Sequence, residues 1–264
     1  MLTEILFSIF VVLFALFIII ILGVGFFLLV RGIQKNMTNI ILAGIAFIGL
    51  PLGFIGNVVF NLGPFFQEIF VLIAFIFTVL FTNLTFYKKK KLYPNIVLII
   101  VIILGSIQIV LHFLYSYLGL NLYYLRVTLD LPYTLLTFNW LAWAAFQSYR
   151  RLRDYNIAPW IKLRYKLIAI FSFIISFNNV PEFFQPKGVN WGNPNNIISL
   201  AIFGTTAILV IAFSIGFFIA WIMPNWIKKK INKNYQPSED KEYTEEELMK
   251  LIKTQMDDKA NFNE

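Results

Sequence analysis

The stretch Leu167-Ile168-Ala169-Ile170-Phe171-Ser172-Phe173-Ile174-Ile175-Ser176-Phe177-Asn178-Asn179-Val180-Pro181-Glu182-Phe183-Phe184 decides how often this chain crosses a membrane. Its first half is apolar apart from Ser172, and its second half is interrupted by Ser176, Asn178, Asn179, Pro181 and Glu182. We read it as most of a short sixth span, roughly 163–184, with an irregular outer end. Without that span, Lys228, Lys229, Lys230 and Lys233 would stand on the opposite side of the bilayer from every other cationic cluster.

Working outward, composition fixes the class. Of 264 residues, 59% are hydrophobic and only 14% charged, and the mean hydropathy is +0.73. A soluble domain cannot hide that much apolar surface. Several apolar runs exceed the roughly 18 residues that cross a bilayer core as a helix. They are continuous rather than alternating, which excludes barrel strands. Seven spans follow, at about 5–30, 39–61, 67–87, 95–118, 131–149, 163–184 and 196–224.

Lysine and arginine orient them, because positive charge collects in cytoplasmic loops. With the N-terminus outside, inward loops hold Arg31 and Lys35, then Lys88 to Lys91, then Arg150, Arg151, Arg153, Lys162, Arg164 and Lys166. Outward loops hold only Arg126 and Lys187. The expected architecture is an all-α membrane protein, a seven-transmembrane helix bundle in the cell membrane with its C-terminus cytoplasmic. Residues 1–227 form the membrane domain, 228–243 a basic juxtamembrane linker, and 244–264 a short acidic helix and tail.

Two outer segments echo each other: Phe60-Asn61-Leu62-Gly63-Pro64-Phe65-Phe66-Gln67 and Phe177-Asn178-Asn179-Val180-Pro181-Glu182-Phe183-Phe184-Gln185. They occupy equivalent places if the bundle is a 3+1+3 parallel repeat, a plan that some transporters use. Chance is the rival explanation, since 29 residues are Phe and the match needs a one-residue insertion.

The net charge of +8 does not indicate nucleic acid, since no separate domain carries a basic face. Lys88, Lys89, Lys90, Lys91, Arg150, Arg151, Arg153, Lys228, Lys229 and Lys230 read instead as lipid-facing anchors for anionic inner-leaflet lipid. With no Cys and one His, His112, thiol chemistry and His-pair metal sites are excluded. The last span, from Ile197 to Trp221, contains no Lys, so the Schiff base of a retinal protein has no amine there. No Asp-rich repeat is present to hold a magnesium diphosphate. No enzyme activity, metal or cofactor is expected. The apolar run from Ile5 to Val30 is too long for a signal-peptide core and reads as a retained span.

Sparse polar residues at membrane depth are the candidate site, because such residues face other helices or a cavity. Gln108, His112 and Tyr115 form one stripe on the fourth helix. Asp130, Tyr133, Thr137, Trp140, Ala144 and Gln147 form another on the fifth, read as the wall of an outward-open cavity. Pro51 and Asn57 suggest a hinge or cavity in the second span. Glu68, Asp130 and Glu182 are outer-mouth carboxylates that would attract cationic ligands or metal ions. Interhelical hydrogen bonds and ordinary packing are the plainer account of the same residues.

Beyond Lys233 the chain turns acidic, with nine acids against four bases from Glu239 onward. Thr244 and Glu247 form a capping box, and Leu248, Leu251, Ile252 and Met256 give the helix an apolar stripe. It needs a dock: its own basic inner face, a second copy, or a cytosolic partner through 244–256. Oligomeric state is left open.

Two functional classes result. One is a receptor-like or sensor protein that binds a small ligand from outside and signals through inner loops or tail. The alternative is a small transporter or channel built from two triple-helix repeats. In topology the chain resembles seven-span sensor and receptor modules. In its echo it resembles parallel-repeat sugar carriers, although it lacks a Pro-Gln pair in either half.

Overall fold

The computed structural model describes residues 2–87, 92–153, 155, 157–186, 188–189 and 191–233. Among them are eight α-helices and no strand: α1 Leu2–Gln34, α2 Thr38–Val58, α3 Gly63–Phe86, α4 Tyr93–Leu118, α5 Tyr123–Leu152, α6 Pro159–Ile175, α7 Ile197–Ile222 and α8 Asn225–Ile231, with a 3-10 turn at Pro181–Phe184. Five of them, α1, α2, α3, α4 and α7, are long and apolar enough to cross a membrane. The 33 residues of α1 would extend about 50 Å at the rise of an α-helix, well beyond a bilayer core of roughly 30 Å.

Local chemistry sets the ends. Pro64, Pro94 and Pro159 lie in the first turns of α3, α4 and α6, where a missing N–H costs nothing. Gly119 closes α4 in the left-handed region at φ 65°, a conformation open to glycine. Asn196 caps α7 by accepting from the Ser199 amide at 3.0 Å.

The helices pack in sequence order and close on themselves, with α1 against both α2 and α7. Because α3 also touches α5 directly, α4 lies outside the α3–α5 seam of a six-helix ring. Only five of its 26 residues are buried: Pro94, Val101, Gly105, Gln108 and Leu111. The ring interior is filled with aromatics. Phe47 on α2 meets Phe217 at 5.2 Å, Phe217 meets Phe213 at 4.3 Å, and Phe213 meets Phe138 on α5 at 5.7 Å. Phe138 then meets Phe75 on α3 at 5.3 Å, and Phe75 meets the tilted ring of Tyr133 at 4.7 Å.

One expectation is corrected: the fifth helix starts at Tyr123 rather than near 131, with Pro132 inside it. The sixth helix ends at Ile175, and residues up to the 3-10 turn are hydrogen-bonded turns, an irregular outer end of the kind expected there. Helix α2 continues through Pro51. Lys88 to Lys91 and the tail from 234 lie outside the described residues.

Candidate functional site

Extending α5 back to Tyr123 puts Tyr123, Arg126, Asp130 and Tyr133 at spacings of three and four, on one face. That face meets α4 and the segment after α6. The Gln108 amide donates to the carbonyl oxygen of Arg126 at 2.8 Å, tying α4 to the first turns of α5. One turn further along α4, His112 Nε2 lies 3.6 Å from Oε2 of Glu68 on α3. Glu68 is buried, not exposed at a mouth.

Asn179 supplies the third side. Its amide donates to the Asp130 carboxylate and, at 2.7 Å, to the Thr134 hydroxyl. The Tyr123 hydroxyl donates to the main-chain carbonyl of Glu182 at 2.9 Å, which fixes the 3-10 turn over α5. Three carboxylates, Glu68, Asp130 and Glu182, thus share this region with one guanidinium, Arg126, which stands 5.3 Å above the Tyr123 ring.

Unused hydrogen-bonding capacity concentrates here. Glu68 Oε1, Gln108 Oε1, His112 Nδ1 and the Tyr133 hydroxyl are all buried and have no partner among the described residues. Tyr133 is 0% exposed and Gln108 1%, so neither group is compensated by bulk water, and an orphaned buried polar group costs about 1–3 kcal/mol. Gly105 makes the fit possible: a Cβ there would fall 2.6 Å from the Tyr133 hydroxyl oxygen. Chemically, the cluster carries two more negative than positive charges when its carboxylates are ionised and His112 is neutral. It offers acceptors on several sides. Among the described residues no three acidic or histidine groups are arranged to hold a metal ion.

The structure brings together Gln108, His112, Glu68, Asp130, Tyr133 and Glu182, and places the remaining candidates elsewhere. Thr137 donates to the Tyr133 carbonyl of its own helix at 2.9 Å. Trp140 lies toward the other end of α5, where its indole donates to Asn83 at 2.8 Å and stacks on Tyr87 at 4.8 Å. Asn57 donates to Gln67 at 2.7 Å. Among the basic anchors, Arg150, Arg153, Lys229 and Lys230 are exposed and Arg151 is part-buried. Lys228 turns inward over Trp160 at 4.9 Å.

Sequence reasoning missed Arg126, Tyr123, Thr134 and Asn179 as members of the cluster. For Arg126 and Tyr123 the signal was present as helical spacing, hidden by starting the helix at 131; Thr134 lay inside the expected span but off the stripe that was followed. Asn179 gave only the weaker signal of an amide in an apolar segment. No known protein family, characterised protein or solved structure matches the chain.

Proposed function

We propose that the chain is a seven-span membrane protein of receptor or sensor type, N-terminus outside. Its cluster at the outer ends of α3, α4 and α5 takes a small organic cation. The observation carrying this reading is the pairing of excess carboxylate with buried, unpartnered acceptors at one place. An ammonium group supplies both the charge and the donors that the cluster lacks. A larger amine suits it better than a bare metal ion, for which the side chains do not converge.

Two features support the orientation. The carboxylate cluster sits where α3 and α5 begin, whereas Arg31, Arg164 and Trp221 share a cavity at the other end. Lys and Arg dominate that second end, as expected of a cytoplasmic face. On this reading α5 and α6 complete the seven spans, their polar residues being paired inside the bundle.

The packed aromatic interior favours sensing over an open channel. Glu68, Gln108 and Tyr133 are buried, so a ligand reaches them when α4 parts from α3 and α5. Helix α4 is suited to this because it buries so little of itself. A cation that binds only the parted state shifts the population toward it, and the inner loops and tail carry the change to a partner. A second reading, transport, is favoured by the like packing of the two halves, α1 on α2 on α3 and α5 on α6 on α7.

The test is thermal unfolding of the full chain in nanodiscs with choline and short primary alkylammonium ions, against neutral alcohols of the same shape. Stabilisation by the amines alone, lost in Asp130→Asn, supports the site. Equal effects of amines and alcohols refute it. Uptake of the stabilising amine by proteoliposomes would favour transport over sensing.

A further inference from the structure

Arg126 and Asp130 stand four residues apart on α5, the spacing at which opposite charges on a helix ordinarily pair. They do not pair. Arg126 makes no ion pair among the described residues. Its guanidinium carbon lies 5.3 Å from the centre of the Tyr123 ring and 5.9 Å from that of Tyr115 on α4. The Asp130 carboxylate instead accepts from the Asn179 amide. Two rings and an amide thus hold a cation and an anion of the outer cluster apart, and the guanidinium keeps N–H donors to offer. Arg126, Asp130 and Glu182 are part-exposed. Glu68 is 7% exposed and keeps an unpartnered oxygen, Oε1, within the cluster.

Outward of the Glu68–His112 contact, one turn along each helix, the start of α3 and the end of α4 border an open groove of about 570 Å³. Its walls are mainly apolar and aromatic, with Leu62, Pro64 and Phe65 on one side and Tyr115 and Tyr117 on the other. Small-ligand sites run from about 300 to 1,000 Å³. Tyr115 joins the two features, since the ring that borders the groove also lies against Arg126.

We infer that the ligand of the carboxylate cluster is a zwitterion, an amino acid with an apolar side chain. Its ammonium goes to the carboxylates, its own carboxylate to Arg126 and its side chain to the groove. This rests on the reading of the cluster as an amine site and narrows it. A plain amine would add a second cation beside Arg126, whereas an amino acid adds a carboxylate that the planar guanidinium can grip through two N–H groups.

The test follows thermal unfolding of the full chain in phosphatidylcholine nanodiscs as ligand is added. L-phenylalanine and L-leucine are compared with phenethylamine and isopentylamine, the same molecules without the carboxylate. Each amino acid should stabilise at a concentration about tenfold or more below its amine, as a hydrogen bond between charged groups provides. Arg126→Gln should abolish that preference and leave the amine response in place; Arg126→Lys should retain part of it. Each variant is read against its own unliganded unfolding, and the wild-type comparison stands without either. Amines that match or surpass the amino acids in the wild type overturn the inference and leave the amine site standing. No response to either class overturns both. A preference that survives Arg126→Gln puts the ligand carboxylate elsewhere and also overturns the inference.

Discussion

Replacing Gly44 by Ala tests the α1–α2 seam on which ring closure depends. A Cβ on Gly44 would sit 2.7 Å from the Leu29 amide nitrogen, 2.9 Å from the Leu29 Cα and 3.0 Å from the Gly25 carbonyl oxygen. All three are backbone atoms that cannot swing aside. Carbon contacts are comfortable at about 3.5–4.0 Å, so the helices must part by roughly 1 Å along the seam. Overpacking of this kind costs about 1–3 kcal/mol, whereas Gly to Ala in a helix returns up to about 1 kcal/mol. The net expectation is a loss of about 1–2 kcal/mol. Gly23 is the control, because its Cβ would meet nothing within 4 Å; Gly23→Ala should be neutral or stabilising by up to about 1 kcal/mol. Both variants are followed by helical circular dichroism during denaturant titration in mixed micelles. Close backbone contact at small residues is a common way for helices to associate in lipid, where no hydrophobic drive remains. If both substitutions shift stability in the same direction and by similar amounts, the seam is not as described.

Further expectations concern the polar contacts. Trp140→Phe keeps the stack on Tyr87 but strands the Asn83 oxygen, and should lower stability by about 1 kcal/mol in the same titration. Gly105→Ala should destabilise by driving a methyl toward the Tyr133 hydroxyl, and Gly105→Ala with Tyr133→Phe should recover part of the loss, a non-additivity that a double-mutant cycle measures. Asn179→Ala removes the donor from both Asp130 and Thr134. It should cost about 1–2 kcal/mol and weaken amine stabilisation together. Glu68→Gln retains shape and removes charge, so it should weaken amine stabilisation about tenfold in thermal unfolding with little effect on the unliganded protein.

The long apolar helices were legible because α1, α2, α3, α4 and α7 need nothing but length and hydropathy. Helix α5 was not legible at its start. Arg126 read as an outward-loop residue when judged by transfer from water, yet in the fold its guanidinium lies over the rings of Tyr115 and Tyr123. The end of α6 was half legible: Ser176, Asn178 and Pro181 signal irregular backbone, but only tertiary structure shows Asn179 reaching Asp130. On α5, spacing correctly put Tyr133 and Trp140 on one stripe and Trp140 wrongly in one cavity. A stripe gives direction, not depth: Asp130 and Trp140 are ten residues apart, about 15 Å along a helix axis. Glu68 was placed at a mouth because a carboxylate near a helix start usually faces water. Its partner His112 comes from the far end of α4, which sequence distance conceals. Arg164 was counted among loop cations, although it is buried against two tryptophans.

The most direct measurement uses the absence of Cys in the natural chain. Single cysteines are placed at Tyr155, in the α5–α6 connection, and at Asn195, just before α7, both exposed positions. Intact cells are then treated with a membrane-impermeant maleimide before and after lysis. A seven-span bundle with its carboxylate cluster outside predicts that Asn195→Cys labels in intact cells and Tyr155→Cys only after lysis. Labelling of both from the same side would mean that α6 and the turns after it do not cross the membrane, and would contradict the account.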